Sequence, residues 1–434
     1  MVIVGIIMAI IFFVMSMYSL RHYIFYWNRL FGNQKGSIQD LAGYYLPSVT
    51  VILPMKNEEA VAATILERLT VMDYPKDNGH FEVIAINDNS TDKTGEIINS
   101  YASSHSYINA IHRDKGGRGK GDALKAGTEL AKNDIILVFD ADYQPTKACV
   151  KRLVAPFCDP EIGLVMGRVV PINTTQSLMT RLLDLERSGG YQVDQQARFN
   201  LNLIPQYGGT VGGIKRSVLK RIGGWNTIML AEDTDVTIRT YLNGWKIAYV
   251  NIAECYEESV VNWKERRHQL TRWAVGHNQC LLNHSGAIVR NPILTVTQKI
   301  DGLLLMGVYI VPVLMLAGLV LSIITYFFGS YWWWLLFSAL LFTVAYNNVG
   351  NFAAFNEIGI SVMLDKRGRI IWLLPWSLFN FFANIWLCTG AFLRSLVIHS
   401  QDVTMQAVGV EKTGVRWAKT DKRGHSKSRG RRVK

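Results

Sequence analysis

Two kinds of hydrophobic pattern divide this chain, and the first lies between residues 49 and 142. There, short apolar runs alternate with amphipathic stretches, which predicts strands alternating with helices. The run Ile135–Phe139 contains no polar residue, as expected for a strand that is buried on both faces of a sheet. The strand–helix–strand order predicts right-handed crossovers and a mostly parallel sheet, so the predicted fold class is α/β. The predicted elements are strand Val49–Leu53, helix Glu58–Val71 capped by Asn57, strand Phe81–Ile86, helix Thr91–Ser103, strand Tyr107–His112, helix Asp122–Ala131 and the strand that ends at Asp140.

The second kind of pattern consists of long apolar blocks, each near or above the ~20 residues that a membrane-spanning helix needs. These blocks are Val2–Leu20, Leu303–Phe328, Tyr331–Phe355 and Ile370–Leu393. The first block has no basic leading segment and no small-residue cleavage site, which indicates an anchor and not a signal peptide. Ala287–Ile300 is predicted to be a helix in the plane of the membrane.

The net charge of +12 is concentrated beside the apolar blocks and in the tail Lys412–Lys434. Basic residues at the flanks of apolar blocks are typical of the cytosolic side of a membrane protein. This distribution favours contact with membrane lipids and argues against nucleic acid as the partner. We therefore predict a multi-pass protein of the plasma (inner) membrane with a cytosolic catalytic domain. Ile370–Leu393 has basic residues at both ends and Pro375 inside, so it could either cross the bilayer or re-enter it.

Two carboxylates follow the strand Ile135–Phe139. Asp140 and Asp142 are two positions apart, so in an extended chain both point to the same side. In open α/β sheets, ligands bind beyond the carboxyl ends of the strands. Two oxygen ligands suit Mg²⁺ or Mn²⁺, ions that usually also contact a diphosphate. The alternative is that both residues are turn or helix-capping residues.

Polar residues also follow the two preceding strands. Pro54 leads into Asn57 and Glu58, and the next strand leads into Asp88, whose carboxylate could accept hydrogen bonds from a nucleoside. The alternative role of Asp88 is to cap the following helix. The glycine-rich basic stretch Lys115–Gly127 then precedes a helix, whose free N–H groups would suit a phosphate. It is not a Walker A loop, and its alternative is a flexible basic loop.

Six motifs in one order and spacing carry a family resemblance. They are VILPMKNEE (51–59), INDNSTDKT (86–94), GKGDALKAG (119–127), FDAD (139–142), AEDTD (231–235) and QLTRW (269–273). Together they resemble the membrane-bound family 2 glycosyltransferases, which include the cellulose, chitin, hyaluronan and poly-N-acetylglucosamine synthases. The resemblance covers Val49 to Leu282 and implies a Rossmann-like GT-A domain, a UDP-sugar donor, a divalent metal (Mg²⁺ or Mn²⁺) and inverting transfer. Two positions depart from the family pattern: Asn87 replaces an Asp, and Ala231 replaces a Thr.

The resemblance also implies roles for single residues. Asp233 is the expected general base, Glu232 would orient it, and Asp235 is the fallback. The alternative is that these acids only begin a helix, Thr234–Leu242. The expected metal ligand is Asp142, assisted by Asp140. The expected donor- and nucleotide-binding residues are Pro54, Asn57, Glu58, Asp88, Lys120, Asp140, Arg272, Trp417 and Thr420.

Acceptor binding is assigned to two segments. Gln269, Arg272 and Trp273 share one face of a helix; the resemblance places Trp273 on the acceptor ring, Gln269 on sugar and Arg272 on the diphosphate. The alternative is an interfacial helix. Tyr207–Gly213 is predicted to be a loop that brings Gly209 and Thr210 near the acceptor, or a plain turn. Residues that could line the acceptor path are Gln195, Gln196 and Arg198.

The motif VRWAKTDK (415–422), which contains Trp417 and Thr420, is similar to a loop that closes over the donor in processive relatives; its alternative is a solvated basic tail. The polar residues Asn347, Asn348, Asn351, Asn356 and Glu357 would suit a glycan channel or hydrogen bonds between helices. The predicted organisation is a transmembrane anchor (1–31), a cytosolic GT-A domain (46–255), amphipathic interface helices (256–300), transmembrane or re-entrant helices (301–398) and a basic cytosolic tail (399–434).

These residues predict an inverting processive enzyme that polymerises a UDP-sugar into a β-linked polysaccharide and extrudes the growing glycan. A homo-oligomer or accessory export proteins would be natural partners of such an enzyme. Two alternatives stay open. The first is the transfer of one sugar to a lipid acceptor, and the second is a non-catalytic membrane scaffold with a nucleotide-sugar fold.

Overall fold

A computed structural model describes residues 2–35, 43–114, 116, 119–328 and 354–407, with side chains described as far as residue 398. The strands are β1 (Val49–Met55), β2 (Phe81–Asn87), β3 (Ile108–His112), β4 (Ile135–Val138), β5 (Gln144–Pro145), β6 (Ile162–Pro171), β7 (Gly212–Lys215) and β8 (Lys246–Glu257). The helices of the catalytic part are α2 (Glu59–Thr70), α3 (Thr94–Ser104), α4 (Lys120–Leu130), α5 (Cys149–Val154), α6 (Leu178–Ser188), α7 (Gln196–Asn200), α8 (Arg216–Arg221) and α9 (Glu232–Leu242). Helix α1 (Val2–Phe31) precedes them, and α10 (Trp263–Arg290), α11 (Val296–Met306), α12 (Val311–Phe328), α13 (Ala354–Leu364) and α14 (Ser377–Ala407) follow.

The strands form one mixed sheet in the order β3-β2-β1-β4-β7-β6-β8-β5. Strands β3, β2, β1 and β4 are parallel, as the alternating pattern predicted. Strand β7 runs antiparallel between β4 and β6, while β6 and β8 are parallel to each other. The parallel half therefore brings the carboxyl ends of β1, β2 and β4 to one edge.

The sheet has a hydrophobic core on each face, because successive side chains of a strand point to opposite faces. On β1, Val51 and Leu53 pack into one core together with Leu66 of α2. Ile52, between them, packs into the other core with Leu124 of α4. The uninterrupted apolar run of each parallel strand is thus explained by burial on both sides.

Three long segments of the described chain are apolar enough to cross a membrane: Val2–Phe31, Val296–Phe328 and Gly368–Ile398. The last begins with a 3₁₀ segment, Gly368–Trp376, before α14 starts. The predicted span Tyr331–Phe355 lies almost wholly outside the described residues.

Three local predictions were wrong. Asn57 does not cap α2: its φ of +54° is left-handed, and its Oδ1 accepts a hydrogen bond from the Thr91 N–H at 2.8 Å. Ala287–Ile300 is not one helix, because α10 ends at Arg290 and α11 begins at Val296 after a cap by Thr295. Gly212 and Gly213 belong to strand β7 and not to a loop.

Candidate active site

A cavity of about 520 Å³ lies at the carboxyl edge of the parallel strands. Its wall contains many of the predicted site residues: Pro54, Asn57, Glu58, Asp88, Lys120, Asp140, Asp142, Glu232, Asp233, Gln269, Arg272 and Trp273. Gly209 and Thr210 lie directly behind that wall, as described below. Trp417 and Thr420 lie outside the described residues. Residues that are distant in the sequence thus share one site.

The Asp140 end of the cavity is organised by Lys120 at the first turn of α4. Lys120 Nζ lies 2.5 Å from Asp140 Oδ1 and donates a hydrogen bond to the Gly209 carbonyl at 2.7 Å. The Asp140 N–H donates to Thr210 Oγ1 at 3.1 Å, so the glycine-rich segment fixes this carboxylate. Burial alone would lower the pKa of Lys120, but the carboxylates of Asp140 and Glu232 raise it above its usual value. Lys120 is therefore a permanent cation beside the acids.

The ligands that Asp140 and Asp142 offer to a divalent cation are all oxygen atoms, and such ligands suit Mg²⁺ or Mn²⁺. Among the described residues, no three His, Cys, Asp or Glu side chains converge on one point. The donor set therefore fits an ion that completes its coordination with diphosphate oxygens and water. Asp140 already contacts Lys120, so its participation would require Lys120 to move away.

Glu232 and Asp233 lie in the first turn of α9 and on the cavity wall. Asp233 Oδ1 accepts a hydrogen bond from the Thr234 N–H at 2.7 Å. Burial raises the pKa of Asp233, while that N–H, Lys120 and Arg272 oppose the rise. Burial and the adjacent Asp233 raise the pKa of Glu232 to about 7. Glu232 and Asp233 therefore begin a helix and also line the cavity, so the two interpretations of these acids are compatible.

Asp235 is held in a different environment from Asp233. Its side chain is 1% exposed and contacts Arg239 Nη2 at 2.5 Å and His284 Nε2 at 2.8 Å. Burial would raise the pKa of Asp235, but these partners lower it below its usual value. It is not among the residues of the cavity wall. The fallback base therefore serves as a structural ion-pair partner.

Asp88 directly follows strand β2 and lies on the cavity wall. Its Oδ1 accepts a hydrogen bond from Arg113 Nη1 at 2.8 Å, and a Cβ on Gly116 would lie 2.1 Å from that oxygen. The start of α3 is satisfied by Asp92, whose Oδ1 accepts from the Thr94 N–H at 3.0 Å. Helix α3 begins at Thr94 with Lys93 as its N-cap residue, so Asp88 is not the N-cap residue of that helix.

Trp273 of α10 lies between cationic side chains. The guanidinium carbons of Arg187 and Arg266 lie 5.2 and 5.5 Å from its ring centroid. Arg187 donates to Glu257 at 2.7 and 3.2 Å, and Arg266 donates to both oxygens of Glu186 at 2.8 Å. These contacts fix the orientation of the Trp273 ring in the cavity wall. Sequence reasoning missed these four partners because they pair across long stretches of chain.

Helix α10 also connects the site to α14, which belongs to a candidate membrane span. A Cβ on Gly276 would lie 2.6 Å from Cβ of Ala231, so the helix backbone is in contact with the residue that precedes the acids. Ala274 and Val275 of the same turn pack with Ala391 of α14 in a small buried cluster. Only glycine at 276 allows this close approach.

A hydrogen-bonded chain leads away from Asp233 toward the segment Gly189–Gln195, which is a π-helix. Gln206 Nε2 donates to Thr234 Oγ1 at 3.0 Å, and the Gln206 N–H donates to Gln195 Oε1 at 2.9 Å. His277 Nε2 lies 3.0 Å from Gln206 Nε2, and burial lowers the His277 pKa to about 4, so the ring is neutral. Sequence reasoning did not single out Gln206 or His277.

The predicted acceptor-path residues divide between two environments. Gln195 and Arg198 are on the cavity wall. Gln196 instead donates to Asn200 Oδ1 at 2.9 Å, within α7. Arg21 of α1 and Leu305, Val308 and Tyr309 of the later apolar helices complete the wall. The cavity thus reaches from the strand ends to helices that are long and apolar enough to cross a membrane.

The sheet order and the cavity define a GT-A glycosyltransferase fold. The mannosyltransferase PcManGT of Pyrobaculum calidifontis, solved with GDP-Man and Mn²⁺, has a similar structure. Its TM-score is 0.57 at 19% identity, over 90% of this chain and 98% of that chain. At this identity the likeness shows the shared fold.

The sequence profile of Glycosyl transferase family 2 matches residues 50–223. The chain is 36% identical to the probable glycosyltransferase YdaM of Bacillus subtilis, over 55% of this chain and 57% of that protein. It is 33% identical to the beta-monoglucosyldiacylglycerol synthase of Nostoc sp., over 57% of this chain and 52% of that protein. The chain therefore spans about half the length of these relatives. The matched region, residues 50–223, lies within the part of the chain in which the ordered motifs resemble family 2 glycosyltransferases.

Proposed function

We propose that this chain is an inverting glycosyltransferase that moves a sugar from a nucleoside diphosphate donor to a lipid acceptor at the membrane. The observation that carries the proposal is one cavity whose wall contains Asp233, Arg272 and Lys120 together with Leu305 and Tyr309. The charged side chains suit a sugar nucleotide. The apolar helices suit an acceptor that stays in the bilayer, and the catalytic domain then faces the cytosol.

In this mechanism Asp233 is the general base. Its carboxylate takes the proton of the acceptor hydroxyl as the oxygen of that hydroxyl bonds to the anomeric carbon. The bond between the anomeric carbon and the diphosphate oxygen breaks in the same step, so the configuration inverts. Such a base typically contributes ~10²–10⁴-fold to the rate. The raised pKa of Asp233 suits this role, because a more basic carboxylate takes a proton more readily.

Arg272 and Lys120 stabilise the negative charge that develops on the leaving diphosphate. Asp142, assisted by Asp140, would hold the divalent cation, which supplies further positive charge to the diphosphate when it is bound. Asp88 accepts hydrogen bonds from the nucleoside. The family resemblance favours UDP as the nucleotide.

The lipid acceptor is favoured over a polymer by two observations. The cavity wall includes side chains of α11 and of the segment before α12, both within the apolar stretch Val296–Phe328. The similar Nostoc protein is named a glucosyldiacylglycerol synthase.

Polymer synthesis is the second candidate. It is favoured by the VRWAKTDK motif (415–422) and by the polar residues of the apolar block Tyr331–Phe355. In that case the same base and donor site would act repeatedly on a growing glycan.

The test uses the purified full chain in lipid nanodiscs with Mn²⁺ and radiolabelled UDP-glucose, UDP-N-acetylglucosamine, UDP-glucuronate or GDP-mannose. We expect nucleotide release with one donor and label in the organic phase as a glycolipid. Label in a high-molecular-weight, water-soluble product would support the second candidate instead. No nucleotide release with any donor or added acceptor would refute both.

A further inference from the structure

Arg21 is an unusual residue for the apolar helix α1. Only 7% of the surface of Arg21 is exposed, and that residue forms part of the cavity wall. Its Nε and Nη1 atoms are buried and have no hydrogen-bond partner among the described residues. The guanidinium is held by the rings of Tyr18 and Phe25, whose centroids lie 5.1 and 5.6 Å from Cζ. Leaving buried N–H groups unpaired costs free energy, so this arrangement suits a ligand that pairs with them.

Arg21 shares the cavity with two of the residues predicted to line the acceptor path, Gln195 and Arg198. Asp194 and Gln195, which belong to the π-helix Gly189–Gln195, line the same cavity. Gln195 is connected to Thr234 through Gln206, and Thr234 in turn binds the base Asp233. A ligand group beside Arg21 therefore lies in the same cavity as the proposed base Asp233.

The positive charges of Arg21 and Arg198 both act on the side chain of Asp194. Arg198 donates to Asp194 at 2.5 Å and to Asp301 at 2.6–2.8 Å. Burial alone would raise the pKa of Asp194, but Arg198 and Arg21 lower it, so this group is a carboxylate. A phosphate entering here would meet that negative charge. A neutral hydroxyl group can accept from Arg21 and donate to Asp194 at the same time.

We propose that Arg21, Asp194 and Gln195 form a subsite for the hydroxyl groups of a neutral acceptor headgroup, and that the membrane anchor thereby selects the acceptor. The proposal rests on the proposed function and adds the chemical class of the acceptor. In it, Arg21 binds the headgroup, while Leu305 and Tyr309 contact the apolar part of the lipid. A dialkylglycerol or a glycosylated glycerolipid fits this class, and a lipid phosphate does not.

The test compares Arg21→Gln with the matched control Arg29→Gln in the full chain. Arg29 lies on the same helix, but its Nε donates to the Gln192 carbonyl and it is absent from the cavity wall. Initial rates are measured with dioctanoylglycerol, a short-chain glucosylglycerolipid, dioctanoyl phosphatidate and a short polyprenyl phosphate. Losing hydrogen bonds from a charged donor should raise the KM for the neutral acceptors roughly tenfold to a hundredfold. The donor KM should not change, and Arg29→Gln should behave as the unsubstituted chain.

A second measurement keeps the proposal falsifiable when Arg21→Gln folds poorly or when no transfer occurs. Binding of dioctanoylglycerol or the glucosylglycerolipid is followed by thermal shift in the unsubstituted chain and in Arg21→Lys, which keeps the charge but has fewer donors. A shift that is present in the former and reduced in the latter supports the subsite. The proposal would be overturned by equal thermal shifts in the two proteins or by an unchanged acceptor KM in Arg21→Gln. It would also be overturned if the unsubstituted chain preferred the anionic lipids and Arg21→Gln abolished that preference. Absence of transfer alone would refute the proposed function, while the binding data still decide on the subsite.

Discussion

The substitution Asp233→Asn separates the proposed base from its neighbours. Asparagine has nearly the same shape, and its Oδ1 can still accept the Thr234 N–H that Asp233 Oδ1 accepts at 2.7 Å. It cannot take a proton at neutral pH. The loss of a positioned base is worth ~10²–10⁴-fold in rate. We therefore expect kcat to fall by that factor, which corresponds to about 3–5 kcal/mol of activation free energy.

The same substitution should leave the fold intact. Burial raises the pKa of Asp233, which means that the folded protein holds the ionised form at a disadvantage. A neutral side chain at this position also removes the repulsion with Glu232. The thermal midpoint should therefore stay the same or rise, and the affinity for UDP should be retained.

Asp235→Asn is the matched control two residues away. Asp235 contacts Arg239 and His284, and these partners lower its pKa below the usual value. Its ionised form thus contributes stability above the unfolded pKa, and this contribution is lost as the pH falls through the folded pKa. Breaking one partner of a buried ion pair typically costs about 3–5 kcal/mol. We expect a lower thermal midpoint, with the turnover of the folded fraction largely kept.

The assay is nucleotide release by each variant in nanodiscs at saturating donor and acceptor, with UDP affinity from calorimetry and the thermal midpoint from scanning fluorimetry. If Asp233→Asn keeps more than a tenth of kcat, Asp233 is not the base. If Asp235→Asn instead loses turnover at an unchanged midpoint, the two roles are reversed.

Three further outcomes follow from the site. Because burial raises the pKa of Asp233, kcat/KM should fall on the acid side at a higher pH than an exposed aspartate would give, as a pH–rate profile will show; a limb at the usual aspartate pKa would contradict this. Gly209→Ala should lower kcat by up to roughly a hundredfold in steady-state assays, with the donor KM little changed. The reason is that Gly209 has a φ of +79° and that the new Cβ would lie 3.1 Å from Asp233 Oδ2. Unaltered kinetics would refute the close packing. Chelation with EDTA should stop nucleotide release. Asp142→Asn should raise the Mn²⁺ concentration needed for the half-maximal rate and should weaken Mn²⁺ binding measured by paramagnetic resonance. Identical Mn²⁺ titrations of the variant and the unsubstituted chain would exclude Asp142 as a ligand.

The parallel half of the sheet could be predicted because its information is local. Strands β1, β2 and β4 are apolar runs ended by polar residues, and their carboxyl ends must meet at one edge when the strands are parallel. Asp88, Asp140 and Asp142 therefore share a cavity, as the pattern suggested.

Strand β7 could not be predicted, because its backbone path is set by packing. A Cβ on Gly213 would lie 2.4 Å from Leu137 Cδ2 and 2.5 Å from the Ile136 carbonyl oxygen. Glycine lets β7 approach β4 this closely, although local propensity favours a loop. The residues next to Gly212 and Gly213 in the sequence do not indicate the strand with which this segment pairs.

The side chains around Trp273 were missed for a related reason. Arg187 and Glu257 pair across 70 positions, and Arg266 and Glu186 pair across 80. Spacing rules for helices and strands detect neighbours only within a few residues. Acidic motif residues such as Asp233 were found because the ordered motifs identify them, and not because their geometry is visible in the sequence.

The contact of Gly276 with Ala231 has a mechanical consequence. There is no side chain at position 276 to absorb a displacement, and Ala274 and Val275 of the same turn of α10 pack against Ala391 of α14. An apolar helix tilts to match the thickness of the surrounding bilayer. A change in tilt of α14 would thus be transmitted through α10 to the start of α9, so we expect turnover to vary with the chain length of the surrounding lipids.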